Sequence, residues 1–194
     1  MCFRKDFNSF TTIVNNLPNR ITFAKFKKMF ISMKTATVKQ IKTELNQHSP
    51  AELVDLCLRL SKFKKENKEL LTYLLYEAHN EHGFIQGVKT EIDEQFELIN
   101  TSSYYFIKKS VRKILRRTKT YIRYSKKKET EVELLIYFCQ KLMNMSPAMQ
   151  ANVALFNIYK RQFELIKKTL KFLHEDLQFD YHEEIAELEV TYLD

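Results

Sequence analysis

Eleven of the 27 residues from Ser102 to Lys128 are Lys or Arg, and none is Asp or Glu. They are Lys108, Lys109, Arg112, Lys113, Arg116, Arg117, Lys119, Arg123, Lys126, Lys127 and Lys128. They outnumber the net charge of +8 carried by the whole 194-residue chain. Side chains of this kind neutralise and hydrogen-bond phosphate or carboxylate oxygens. At about 100° per residue, Lys108, Arg112, Arg116, Lys119 and Arg123 fall in one stripe of a helix. Ile107, Val111, Ile114, Leu115 and Ile122 fall on the other side, which packs on the domain. The candidate anion-binding residues are therefore Lys108, Arg112, Arg116, Lys119 and Arg123, with Lys126, Lys127 and Lys128 after them. Tyr104, Tyr105, Phe106, Tyr121 and Tyr124 are interleaved with these charges, and tyrosine stacks on bases. Nucleic acid is the favoured partner, and an acidic protein is the other.

An internal use of the same charges competes with that reading. From Phe172 to Asp194 the chain carries eight acids and no Lys or Arg; Glu77, Glu81, Glu91, Asp93, Glu94 and Glu97 form a second acidic zone. If the basic helix pairs with these, the protein reads as a protein–protein adaptor instead.

Catalytic patterns are weak. His79, His82, Glu77 and Glu81 cluster near a helix end. They lack the His-Glu-x-x-His spacing, and the Glu-x-x-His of carboxylate-bridged bundles is absent at every histidine. His174 and His182 each lie near acids, but one His–carboxylate contact is not a mechanism. Ser61 and Ser125 read as helix ends. No catalytic, cofactor or metal residue is assigned, and an enzyme with scattered site residues, such as those around His79 and His82, is the least favoured class. Two glycines and three prolines leave no phosphate-cradling loop. Cys2, Cys57 and Cys139 are far apart; Cys57 and Cys139 sit in apolar helical runs and read as buried small hydrophobes. So sparse a set fits a reducing, cytoplasmic setting. No apolar run is long enough to span a bilayer.

The elements that must hold the basic stripe are helices. Val38, Ile41 and Leu45 keep helical spacing. Ser49-Pro50-Ala51-Glu52 is a capping box, opening a helix with Leu53, Leu56, Cys57 and Leu60 inward. A break at residues 62–67 precedes a helix that buries Leu70, Leu71, Leu74 and Leu75. Phe84, Val88, Ile92, Phe96 and Ile99 mark the next. Ser102 or Ser103 caps the basic helix. Val132, Leu135, Cys139 and Leu142 define another, and Ser146-Pro147 opens a long one through Phe156, Phe163, Ile166, Leu170 and Leu173. Asp180-Tyr181-His182-Glu183 resembles a second capping box and predicts a short terminal helix. No strand is predicted.

Residues 1–32 differ: six cations stand against Asp6 alone. They read as a basic N-terminal extension, foreign to the domain and lying upstream of a start at Met33; residues 33–194 read as one helical domain. At an offset of 64, Arg59, Ser61, Lys62, Lys64, Glu69, Leu70, Leu71 and Tyr73 match Arg123, Ser125, Lys126, Lys128, Glu133, Leu134, Leu135 and Tyr137. A duplication would place the leucine pairs at equivalent buried positions, in stacked hairpins. The expectation is an all-α fold of about seven helices in antiparallel hairpins, either a short α-solenoid or an irregular bundle.

The segments Leu58-Arg59-Leu60-Ser61-Lys62-Phe63-Lys64-Lys65-Glu66-Asn67-Lys68-Glu69-Leu70-Leu71 and Tyr121-Ile122-Arg123-Tyr124-Ser125-Lys126-Lys127-Lys128-Glu129-Thr130-Glu131 resemble a family of small uncharacterised bacterial helical proteins. The resemblance covers residues 33 to 188 or so. It implies no activity, cofactor or site.

Overall fold

The computed structural model describes residues 34–193, so the reading of residues 1–32 lies outside the described residues. The chain divides after Val54 into two compact units. Every regular element among the described residues is helical, and none is long and apolar enough to cross a membrane. Nine α-helices occur there instead of about seven, among them a short one, Glu175–Asp180, that periodicity did not mark.

In the first unit, α1 spans Val38–Leu45. Thr37 and Gln40 cap it reciprocally: the Gln40 side chain accepts the Thr37 N–H at 2.9 Å, and the Thr37 hydroxyl accepts the Gln40 N–H at 3.3 Å. Val38, Ile41 and Leu45 are nevertheless exposed. Helix α2, Pro50–Phe63, begins in this unit and runs across the division. Its capping box forms as expected, with the Ser49 N–H donating to Glu52 at 2.7 Å and the Glu52 N–H donating back to the Ser49 hydroxyl.

The second unit contains the core. The inward face expected on α2 is not inward: Leu53 is half-buried, and Leu56, Cys57 and Leu60 are exposed. The break that follows is Lys64 alone, and α3 begins at once as Lys65–Thr72. An Asn67 side-chain N–H donating to the Leu60 carbonyl at 3.0 Å ties the two helices. A π-helical turn, Tyr73–Glu77, comes next. Its extra residue per turn rotates the side chains that follow. Tyr73 is 4% exposed, whereas Leu74 and Leu75, expected in the core, are 57% and 62% exposed.

Helix α4, Glu81–Glu97, is capped by Asn80 and buries Phe84, Ile85, Val88 and Ile92. Helix α5, Tyr104–Ser125, starts at Ser103, whose hydroxyl makes no cap bond, contrary to expectation. It ends on Lys126 in the left-handed region, φ 58°. Helix α6, Lys128–Met143, lies at the centre and packs against α4, α5, α7 and α9. Val132, Leu134, Leu135, Ile136, Phe138, Cys139 and Leu142 are all at most 1% exposed. A helix apolar nearly all round must be enclosed in this way.

The Ser146–Pro147 bond is cis and does not open the long helix. A 3-10 turn, Met149–Ala151, intervenes, and Asn152 caps α7, Val153–Leu170. The side chain of Asn152 is an efficient acceptor for the first helical N–H groups, whereas the hydroxyl of Ser146 lies too far upstream. Helix α8, Glu175–Asp180, precedes α9, His182–Leu193. Asp180 closes α8, so the terminal helix forms without the expected role for it as a cap. The Tyr159 hydroxyl donates to the Leu188 carbonyl at 2.6 Å and joins α7 to α9.

Helices gathered around α6 make an irregular bundle. In a solenoid each unit would touch only its neighbours. Both matched segments do read helix, basic joint, helix. Their breaks, at Lys64 and at Lys126 and Lys127, are out of register by the 64-residue offset. Leu134 and Leu135 are wholly buried while Leu70 and Leu71 are half-buried, so the equivalence expected of a duplication is not kept.

Burial this uneven is measurable. Leu134→Ala should cost about 2–5 kcal/mol in chemical denaturation. Leu75→Ala should stay within about 0.5 kcal/mol.

Candidate anion-binding surface

Helix α5 divides its charges between two faces. On the inner face, Arg117 donates through Nη1 and Nη2 to the two carboxylate oxygens of Glu69, at 2.6 and 2.9 Å. Its Nε reaches Glu91 at 3.4 Å. The guanidinium lies 4.3 Å from the Tyr121 ring centre. The Tyr121 hydroxyl donates to Glu91, and the Tyr124 hydroxyl to Glu69 at 3.1 Å. Arg117 holds the Glu69 carboxyl down at about 2, against the effect of burial and with help from Tyr124. Burial, followed by the Glu69 bond, pushes the Tyr124 phenol up to about 12. These two tyrosines, expected among the exposed charges, are held within the fold and do not offer stacking faces. Tyr105 and Phe106 remain exposed at the start of α5.

The joint between α5 and α6 is held by Glu81. This carboxylate accepts from the hydroxyls of Ser125, Thr130 at 2.6 Å and Tyr73 at 2.8 Å. Lys127 Nζ lies 3.1 Å away. Burial alone would raise the Glu81 pKa, but these donors outweigh it and bring the carboxyl to about 2. The cluster fixes a backbone that takes the left-handed region without glycine, a conformation costing roughly 1–2 kcal/mol. Lys127 is therefore engaged by Glu81, and Lys128 by Glu131 at 2.9 Å. Lys126 is exposed.

The outer face carries the predicted stripe. Arg112, Arg116 and Arg123 are exposed, and Lys108 and Lys119 are half-buried. Among the described residues, no carboxylate forms an ion pair with any of the five. Arg112, Arg116, Lys119 and Arg123 border a groove of about 500 Å³, lined also by Leu115 and Ile122 of α5, Glu131 and Leu135 of α6 and Leu165 of α7. Burial lowers the Lys119 pKa, and Glu131 works against it. Arg161 and Lys168, both exposed, lie four residues before and three after Leu165. Their spacing puts them on its side of α7.

The structure thus brings Arg112, Arg116, Lys119 and Arg123 to one groove and leaves Lys108 further along the same stripe. Lys127 and Lys128 are committed to carboxylates at the joint. Sequence reasoning missed Arg117 as the internal clasp, although Arg117, Tyr121 and Tyr124 at i, i+4 and i+7 share one face. It also missed the contribution of α7. His79 and His82 are exposed, Glu81 is taken by the joint, and no group of three His, Cys, Asp or Glu among the described residues could hold a metal ion. Cys139 is buried, with its thiol pKa raised by burial, whereas Cys57, expected to be buried, is exposed; α2 has few neighbours to cover it. The outer face offers fixed positive charge beside aliphatic surface.

No protein-family model, curated protein or solved structure matches the chain.

Glu69 and Glu81 ionise more readily in the folded protein than at the ordinary value of 4.5. Their stabilisation is complete above that value and is lost as pH falls from about 4.5 to about 2. Melting temperatures followed across that window should drop steeply. Glu81→Gln should lower the midpoint at pH 7 and make the acid limb shallower.

Proposed function

We propose that this protein is a non-catalytic binding module that receives an anionic macromolecule on the outer face of α5. One observation carries the reading. The second unit is rich in carboxylates, and they take Arg117, Lys127 and Lys128, yet among the described residues none forms an ion pair with the five-residue stripe, and Glu131 acts only on Lys119 from a distance. Its members follow one another at i, i+4 or i+3: Lys108, Arg112, Arg116, Lys119, Arg123. Like charges at these spacings destabilise a helix by roughly 0.2–0.5 kcal/mol per pair. Four such pairs oppose folding by about 1–2 kcal/mol in sum. A local rule broken without return in the fold is the mark of a surface kept for a ligand. Rise along the helix sets the cations about 6 Å apart at each four-residue step, a spacing suited to a repeating anion. Phosphate and carboxylate both satisfy a guanidinium, so nucleic acid and an acidic protein belong to the same reading.

Titrations with a fluorescent oligonucleotide and a fluorescent poly-glutamate peptide test it. Affinity should fall steeply with salt. The double variant Arg112→Gln/Arg116→Gln should weaken binding and, for the oligonucleotide, reduce the log–log salt slope by about 1 to 2. Its melting temperature should equal or slightly exceed that of the parent, because the substitutions remove three of the four like-charge pairs, each worth about 0.2–0.5 kcal/mol. No binding of either probe at low salt, or undiminished binding by the double variant, would sink the proposal.

A further inference from the structure

Resting on the reading above, we propose that the groove between α5, α6 and α7 takes an acidic amphipathic helix of a partner protein. Charge complementarity is the first argument. Arg112, Arg116, Lys119 and Arg123 border the groove, while its one acid, Glu131, is paired with Lys128. A second argument lies in the lining. Half-buried Leu115 and Leu165, backed by the buried Ile122 and Leu135, give it an aliphatic floor, and arginine and lysine stems lie along such a surface while their heads stay in water. A ligand that only neutralised charge would leave that floor wet. From Arg112 to Arg123 the groove runs three helical turns, about 17 Å. A helix laid in it would place leucine-type side chains on the floor at i, i+3, i+4 and i+7, with carboxylates facing the cationic border.

A nucleic-acid strand fits the floor less well. Base recognition uses aromatic platforms, and Tyr121 and Tyr124 are turned into the Glu69 and Glu91 contacts on the opposite face of α5. Nor does the chain supply its own occupant on grounds of charge. Residues 1–32 carry six cations and one acid. The acidic helix α9 is already packed on α6 and α7, with Leu188 buried.

The test uses the full chain and three labelled probes in fluorescence anisotropy. One is a peptide of about four helical turns, with leucine at the groove spacing and glutamate elsewhere. The second is a scramble of the same composition, and the third a single-stranded oligonucleotide. The patterned peptide should bind at least about tenfold more tightly than its scramble, the equivalent of about 1.4 kcal/mol. Leu165→Asp should bring it down to the level of the scramble, with the circular dichroism spectrum unchanged. If that variant unfolds, Leu115→Gln provides the same readout. Equal binding of peptide and scramble, or tighter binding of the oligonucleotide, overturns the helical occupant but leaves the anion-binding surface standing. Failure of all three probes to bind at low salt removes both.

Discussion

The enclosure of α6 is the constraint on which the second unit depends. Apolar side chains leave this helix in nearly every direction, and seven of them are at most 1% exposed. No single neighbour can cover such a surface, so α4, α5, α7 and α9 must all gather round it. That requirement fixes which side of α5 turns inward. Ile107, Val111 and Ile114 go to the core, and the cations spaced between them have no alternative to the outer surface. Position on the helix wheel, once α6 is enclosed, decides which charges remain open.

Arg117 is the exception that gives α5 its definition. It lies at the edge of the apolar face, where water is scarce and an unpaired cation would be costly. Glu69 meets it with both oxygens, and Glu91 and Tyr121 complete the surroundings. The same carboxylates hold Tyr121 and Tyr124. At the C-terminal end of the helix, Glu81 binds the hydroxyls of Ser125 and Thr130. Three acids from earlier in the chain, Glu69, Glu81 and Glu91, thus anchor α5 from behind and at its end. Its outer face is presented on a support with little freedom, which reduces the ordering cost of a later encounter.

Periodicity exposed most of the helical elements because it reports which residues share a face. The Ser49–Glu52 capping box, the buried residues of α4 and the separation of Lys108, Arg112, Arg116, Lys119 and Arg123 from Ile107, Val111 and Ile114 are all local properties. What was not legible depends on distant packing or on backbone geometry. Leu74 and Leu75 fit the helical period, but a π-helical turn moves them outward. Leu56 and Leu60 fit it too, yet among the described residues no element packs closely enough on α2 to cover them. Ser146-Pro147 looks like a helix opening, while Asn152 makes the cap. The groove itself was invisible for a related reason: its walls come from residues 112, 131 and 165, which periodicity treats separately. Arg117 was counted with the other cations because its partners lie 48 and 26 positions away.

The place of α6 in the chain has a consequence for how the protein is made. Synthesis proceeds from the N-terminus, and domains fold as their sequence becomes available. Everything up to Ser125 leaves the ribosome before α6 does. Until then α4 and α5 can cover each other only in part, with Phe84 against Tyr73 and Tyr121, while α1, α2 and α3 contribute no wholly buried side chain of their own. The apolar sides of α4 and α5 that face α6 therefore stay uncovered until α6 is made. Closure is a late event, complete only once the sixteen residues of α6 have been followed by the α7 segment that covers them.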